Sequence, residues 1–189
     1  MRLSVFSIAA ISTCIIPVQV RSRFQCMSMY CDKILVSACL AGQYCRWDGG
    51  TNLVPEIQAL VESGKAVPVC PEMLGGLPVP RLPSECLGAS VFSSSGGDVT
   101  AQFRKGAEEA LQICLAHGCT LAVLKAKSPS CGKGVIHNGL FDGGLTVGNG
   151  TTAQLLLEHG IEVVTEHEWI NRNGSPSLQV QEDTSIPSS

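Results

Sequence analysis

The sequence predicts an α/β domain: a mostly parallel sheet between flanking helices, three layers deep, folded as a single domain. Three observations carry this expectation. Short apolar runs of strand length, rich in β-branched residues, recur along the chain. Segments with apolar residues at helical spacing separate them, and glycine or proline punctuates the joints. The 189 residues hold 44% hydrophobic and 15% charged side chains, the composition of one globular domain with a sizeable core. Strands that alternate with helices become parallel neighbours, because each crossover carries the chain back over one face of the sheet.

The first 32 residues are expected to lie outside this domain. MRLSVFSIAAISTCIIPVQVRSR has a basic second residue and an apolar stretch of about 16 residues, Val5 to Val20, broken by Pro17. It looks like a secretory signal or short anchor. Met27 and Met29 stand directly before the first strand, which favours a leader or mis-assigned start and a cytoplasmic domain over 33–170. Nothing after residue 32 resembles a membrane segment.

KILVSA (33–38) reads as a strand ending at Cys39, followed by the loop LAGQYCRWDGGT. LVPEIQALVES (53–63) has helical periodicity, with Gly64 behind it as a stop. AVPVC (66–70) is a second short strand, also ending in cysteine. Residues 71–97, rich in Pro, Gly and Ser, are expected to be a long connection, ordered in its apolar first half and mobile at SSSGGD. Asp98 is placed to cap a helix over 99–117 whose inner stripe is Phe103, Ala107, Ala110, Leu111, Cys114 and Leu115. TLAVLKA (120–126) is the third strand, and GVIHNGLFDGGLTVGNG (134–150) carries the Asn-Gly and Asp-Gly signals of a hairpin. Thr151 or Thr152 caps a helix through His159, and IEVVT (161–165) is a last strand. The polar residues from 171 on are expected to be a disordered tail.

Ten cysteines are many for such a chain. A disulfide scaffold would be shorter and loop-rich, whereas several of these cysteines sit inside apolar runs, so the chain reads as reduced. Cys14, Cys26, Cys86, Cys114 and Cys119 are taken as small buried hydrophobes or surface residues. Parallel sheets bind ligands at the carboxyl ends of their strands. That rule collects Cys39 and Cys70, which end the first two strands, and Cys131, which follows the third in LKAKSPSCGKG.

Three thiolates suit two cofactors: a hydrolytic zinc ion with one open position, or an iron–sulfur cluster with one iron left free. There is no CxxC pair, so spacing leaves both open. His117, His137, His159 and His167 form no ligand-spaced pair, which does not favour zinc. Cys45 is close enough to Cys39 to be a fourth ligand, closing the cluster as in a sensor or electron carrier; otherwise it is structural. A net charge of −3 argues against a nucleic-acid duplex as partner.

KILVSACLAGQYCRWDGG, PVCPEMLGGLPVPRLPSE, GDVTAQFRKGAEEAL, LKAKSPSCGKG and GNGTTAQLL, in this order over roughly 33–168, resemble a family of small iron–sulfur desulfidases that act on thiouracil. The resemblance implies a [4Fe-4S] cluster held by Cys39, Cys70 and Cys131, with one iron not ligated by the protein. It implies an acid/base glutamate in the CPE motif, Glu72, and a functional serine opening SPSC, Ser128. The implied reaction is non-redox desulfuration of a small thiolated pyrimidine, releasing sulfide and the oxo-pyrimidine, with no DNA duplex and no membrane as partner. A monomer and a homodimer are both open.

Glu72 lies two residues after Cys70, so its carboxylate can sit beside the thiolates and is expected to hold its proton more tightly. Ser128 could donate to a substrate or orient water. Weaker expectations concern anion binding by Ser130 and by Gly148, Asn149, Gly150, Thr151 and Thr152, which open a helix. Arg46, Asp48 and Arg81 are candidates to hold a substrate phosphate or brace the loops. The alternatives are a three-cysteine zinc hydrolase and a non-catalytic iron–sulfur sensor.

Overall fold

A computed structural model describes residues 33–173. The leader expected at 1–32, and the tail beyond 173, lie outside the described residues. The chain runs β1 (Ile34–Ser37), α1 (Pro55–Glu62), β2 (Ala66–Val69), α2 (Pro71–Leu74), β3 (Ser84–Leu87), β4 (Ser90–Ser93), α3 (Thr100–Ala116), β5 (Leu121–Leu124), β6 (Val135–His137), β7 (Leu145–Val147), α4 (Thr151–Glu158), β8 (Glu162–Thr165) and α5 (Glu166–Asn173).

Four strands form one parallel sheet in the order β2-β1-β5-β8. Successive residues of a strand face opposite sides, and the apolar runs fill both. Leu35, Ala122, Leu124 and Val163 pack with Ala110, Leu111 and Cys114 of α3 and with Ala153 and Leu156 of α4. Val36, Val123 and Val164 pack on the other side with Ile57 of α1, Leu40 and Trp169 of α5. The result is the expected three-layer α/β domain. No described helix is long and apolar enough to cross a membrane.

Two features of this sheet position a site. Its registers pair Ser37 with Val69 and Val36 with Val123, so β1, β2 and β5 end at one level. The chain also leaves β1 toward β2 on one side and later returns to β5 on the other. The crevice outside the carboxyl ends at such a reversal is where open α/β sheets take their ligands.

The structure departs from the sequence reading in the connections. Residues 71–97 are not a plain loop: they contain α2 and the β3–β4 hairpin, in which Cys86 pairs with Val91. SSSGGD is an ordered turn, with Ser93 N donating to Gly97 O at 2.8 Å and Gly97 N to Ser93 Oγ at 3.1 Å. Asp98 stands one residue outside the formal cap position, but its Oδ1 accepts from Thr100 N at 2.8 Å. The 134–150 hairpin closes through a longer connection than a two-residue turn, braced by Asp142 Oδ1, which accepts from Asn138 Nδ2 and Gly144 N. Residues 171–173, assigned to the tail, end α5 instead. That helix opens with a reciprocal cap: Glu168 N donates to Thr165 Oγ1 at 3.2 Å and Thr165 N to Glu168 Oε2 at 2.7 Å.

The short helix α2 carries the CPE motif, and glycines let it lie against α3. A Cβ on Gly106 would stand 1.9 Å from Pro71 O, and one on Gly75 would stand 2.0 Å from Gln102 O. Neither backbone can yield without parting the helices. Gly106→Ala is therefore expected to destabilise the protein by about 1–3 kcal/mol despite alanine's better helix propensity. A denaturant midpoint equal to that of the parent, at unchanged slope, would show that the close approach is not needed.

Candidate functional site

A cavity of about 440 Å³ opens at the carboxyl edge of β1, β2 and β5, and Cys39, Cys70 and Cys131 all line it. Each thiol is delivered by a different local device. Cys39 sits in the tight turn after β1, where its carbonyl accepts from Asn52 N at 3.0 Å and Thr51 Oγ1 at 2.8 Å. Cys70 is the N-cap residue of α2, with Pro71 as the first helical residue behind it. Cys131 is buried in the SPSC loop after β5, its amide donating to Ser128 Oγ at 3.1 Å. Three motifs far apart in the chain thus meet at one cavity, as strand ends at one level require.

Cys45 is buried beside them in the same cavity wall, and its carbonyl oxygen accepts from the Cys70 thiol at 3.7 Å. The neighbouring Cys39 and Cys70 thiols, and then burial, push the Cys45 thiol up. The proximity of Cys45 lowers Cys39, against the opposing effect of burial, and brings Cys70 down to about 7. Burial pushes the Cys131 thiol up. Cys45→Ala is expected to keep whatever metal the protein binds at the parent's ratio; loss of that metal would make Cys45 a ligand.

Glu72 lines the cavity as well. The sequence reading set it among thiolates alone, whereas the structure adds a cation. Arg81 Nε donates to Glu72 Oε2 at 2.7 Å, and both side chains are largely buried, 6% and 16% exposed. Arg81 also donates to Cys45 O at 3.1 Å, and its N–H to Trp47 O at 2.8 Å. It therefore ties the CPE helix to the CRWDG loop, the bracing role of the two proposed for it. Among the described residues nothing donates to the other oxygen of Glu72, Oε1. Arg46 is engaged likewise: it pairs with Asp48 at 2.8 Å and donates to Asn52 at 2.7 Å.

Ser128 lines the cavity, and its Oγ accepts from Ser130 N and Cys131 N, each at 3.1 Å. A hydroxyl has two acceptor sites and one donor. Both acceptor sites are occupied in shaping the loop, so what Ser128 still offers is its proton.

The anion-site expectation for Ser130 and the GNGTT segment is corrected by the packing. Ser130 is buried, its hydroxyl 2.9 Å from that of Thr152, and it does not line the cavity. The amides that would cradle an anion donate within the protein: Gly148 N to Gly134 O, Gly150 N to Gly132 O, Thr151 N to Pro129 O and Thr152 N to Ser130 O. Asn149 Oδ1 accepts from Gly134 N. A Cβ on Gly150 would lie 2.5 Å from Ser130 O, so glycine there lets α4 abut the SPSC loop. GNGTT is a clamp on the loop that carries Ser128 and Cys131.

Trp47, Lys127 and His137 also line the cavity, and the sequence reading gave none of them a role. Trp47 had a signal, an aromatic between Arg46 and Asp48 in a glycine-ended loop. Lys127 and His137 had none. The buried Glu166 of α5 supports the site from behind: Oε2 accepts from Ala126 N at 2.7 Å and Oε1 pairs with Lys125. Among the described residues, no three His, Cys, Asp or Glu side chains are grouped tightly enough to share one metal ion.

Together these features define a three-layer α/β protein with a thiol-lined, carboxylate-bearing pocket at the switch point of its sheet. A sequence profile of the 2-thiouracil desulfurase family matches residues 34–168. The chain belongs to that family. It is 41% identical over 145 residues to the uncharacterized protein YbbK of Bacillus subtilis (strain 168), an alignment covering 71% of this chain and 96% of YbbK. Among solved structures it is similar to the [4Fe-4S]-dependent thiouracil desulfidase TudS, with a TM-score of 0.71 and 48% identity, covering 74% of this chain and 94% of that one.

Proposed function

We propose that the protein is an iron–sulfur-dependent desulfidase that hydrolyses the carbon–sulfur bond of a thiouracil- or thiouridine-type pyrimidine without net redox change. The observation that carries this reading is the convergence of Cys39, Cys70 and Cys131 on one cavity with Glu72 in its wall. Membership of the 2-thiouracil desulfurase family and the likeness to TudS support it. The reaction balances as thiocarbonyl plus water giving carbonyl plus hydrogen sulfide.

The donor set fits a [4Fe-4S] cluster. Three soft thiols from three segments line one cavity, a donor set of the kind that holds iron in such clusters. Cys39, Cys70 and Cys131 would hold three irons, leaving the fourth without a protein ligand. A closed cluster of the sensor type would need Cys45 as a fourth ligand. When bound, the cluster supplies a Lewis-acidic, sulfur-seeking iron.

The remaining steps belong to the chain. Glu72 Oε1 carries the two protons of the attacking water, one after the other, to the sulfur, which leaves as hydrogen sulfide, while Arg81 holds Oε2 and so fixes the plane of the carboxylate. Ser128 offers its free hydroxyl hydrogen to the substrate as a hydrogen bond and gives up no proton in the reaction. Trp47, half exposed at the cavity wall, offers a flat face to the pyrimidine ring.

The test is made on protein purified without oxygen. Iron and sulfide content and visible absorption are recorded, 2-thiouracil is added, and released sulfide and uracil are measured. Four irons per chain with equimolar sulfide and uracil is the expected result. Stoichiometric zinc without iron would transfer the three thiols to a hydrolase mechanism, and a cluster without turnover would leave the sensor reading.

A further inference from the structure

Glu85 takes no part in that mechanism, yet it lines the same cavity and is only 9% exposed. Its two carboxylate oxygens are used differently. Oε2 accepts from Gly139 N at 2.9 Å and from Phe141 N at 3.0 Å. Among the described residues nothing donates to Oε1. Nor is that oxygen sealed in by packing: among the described residues that are not exposed, His137 Nδ1 alone is both shut off from solvent and without a partner. Oε1 is therefore an open, unpaired acceptor on a carboxylate whose surroundings are otherwise protein, and the cavity is where it opens.

The carboxylate is held in place by the loop after β6. Gly139 has a φ of 86°, and a Cβ there would stand 2.6 Å from Cys86 O, so glycine lets the loop come this close to β3. Phe141 has a φ of 54°, left-handed backbone that bulky residues rarely adopt. Both of these special positions turn their amides onto Oε2, and such backbone persists where the direction of a functional group matters. No cation among the described residues pairs with Glu85; Arg46, Arg81 and Lys125 at the same cavity pair with Asp48, Glu72 and Glu166. A nearly buried carboxylate oxygen without a partner is costly until a donor meets it.

We propose that Glu85 is a specificity-determining residue whose Oε1 accepts a hydrogen bond from a ring N–H of the substrate, an inference that rests on the thiopyrimidine reading above. A carboxylate accepts only, so its partner must be a donor. In 2-thiouracil the thiocarbonyl is flanked by N1–H and N3–H. A ring that presents its sulfur for reaction thus presents an N–H on either side of it. A site built to bond such a hydrogen rejects an analogue lacking it more strongly than an apolar wall could.

The test turns on Glu85→Gln. An NH2 group cannot accept from the Gly139 and Phe141 amides, so the glutamine oxygen stays on them and the NH2 faces the cavity. The tie to the hairpin is kept, while the acceptor becomes a donor. Wild-type holoenzyme and variant, at equal iron content, are assayed with 2-thiouracil and its 1-methyl and 3-methyl derivatives. The wild type should favour 2-thiouracil over one of these derivatives by about tenfold or more in kcat/KM. Glu85→Gln should lower kcat/KM for 2-thiouracil by about tenfold, mostly through KM, and lose that preference. A carboxylate that merely braces the hairpin predicts unchanged KM and unchanged preference, and that result overturns the assignment alone. A wild type that leaves 2-thiouracil intact overturns the parent reading and this one with it. A second measurement needs no variant: uracil should inhibit the wild type about tenfold more strongly than either 1-methyluracil or 3-methyluracil, and equal inhibition by all three overturns the proposal.

Discussion

Replacing Cys131 by serine is expected to abolish both bound iron and desulfidase activity while leaving the fold in place. Cys131 lies in the core on the α3–α4 side of the sheet. Serine is close to cysteine in size, so the fold should persist at a cost of about 1–3 kcal/mol for the buried hydroxyl. Its hydroxyl is harder and far less acidic than a thiol, and a poor ligand for iron. Cys39→Ser and Cys70→Ser should behave alike, whereas Cys114→Ser, in the core away from the cavity, should keep its iron. Iron and sulfide content together with far-ultraviolet circular dichroism separate the two classes. A Cys131→Ser protein with its cluster and turnover intact would remove this residue from the ligand set.

Glu72→Gln should keep the cluster and lose turnover, with kcat for 2-thiouracil falling by about 10²–10⁴-fold. The amide oxygen of glutamine can still accept from Arg81, so the tie between the CPE helix and the CRWDG loop is preserved. What is removed is the second oxygen's capacity to take a proton. An effect confined to KM would recast Glu72 as a binding residue, and wild-type turnover would exclude it from proton transfer. The contrast with Cys131→Ser is informative in itself, because one variant loses the metal and the other keeps it idle.

The parts of the fold that were legible were those written locally. β1, β2, β5 and β8 showed as apolar runs, and α1, α3 and α4 as periodic segments closed by glycine. The β3–β4 hairpin was missed because its strands are short and embedded among Pro, Gly and Ser, so turn chemistry dominated the reading. α5 was missed because the reading stopped at the last apolar strand, although the Thr165–Glu168 capping box stood in view. For GNGTT, anion binding and ordinary N-capping look alike in the sequence; in the structure the amides of Gly148, Gly150, Thr151 and Thr152 donate to carbonyls of residues 129–134.

By itself the sequence determined which strands end in cysteine and that a parallel sheet would bring those ends to one edge, because strand length and alternation are set within a few neighbouring residues. Only the tertiary structure decided what surrounds the three thiols. It set Arg81 against Glu72, Cys45 beside Cys39 and Cys70, α4 against the SPSC loop, and Glu85 at the cavity with one oxygen unmet. Those neighbours come from segments that meet only when the layers pack. Whether a polar group is free to act depends on partners that no local pattern records.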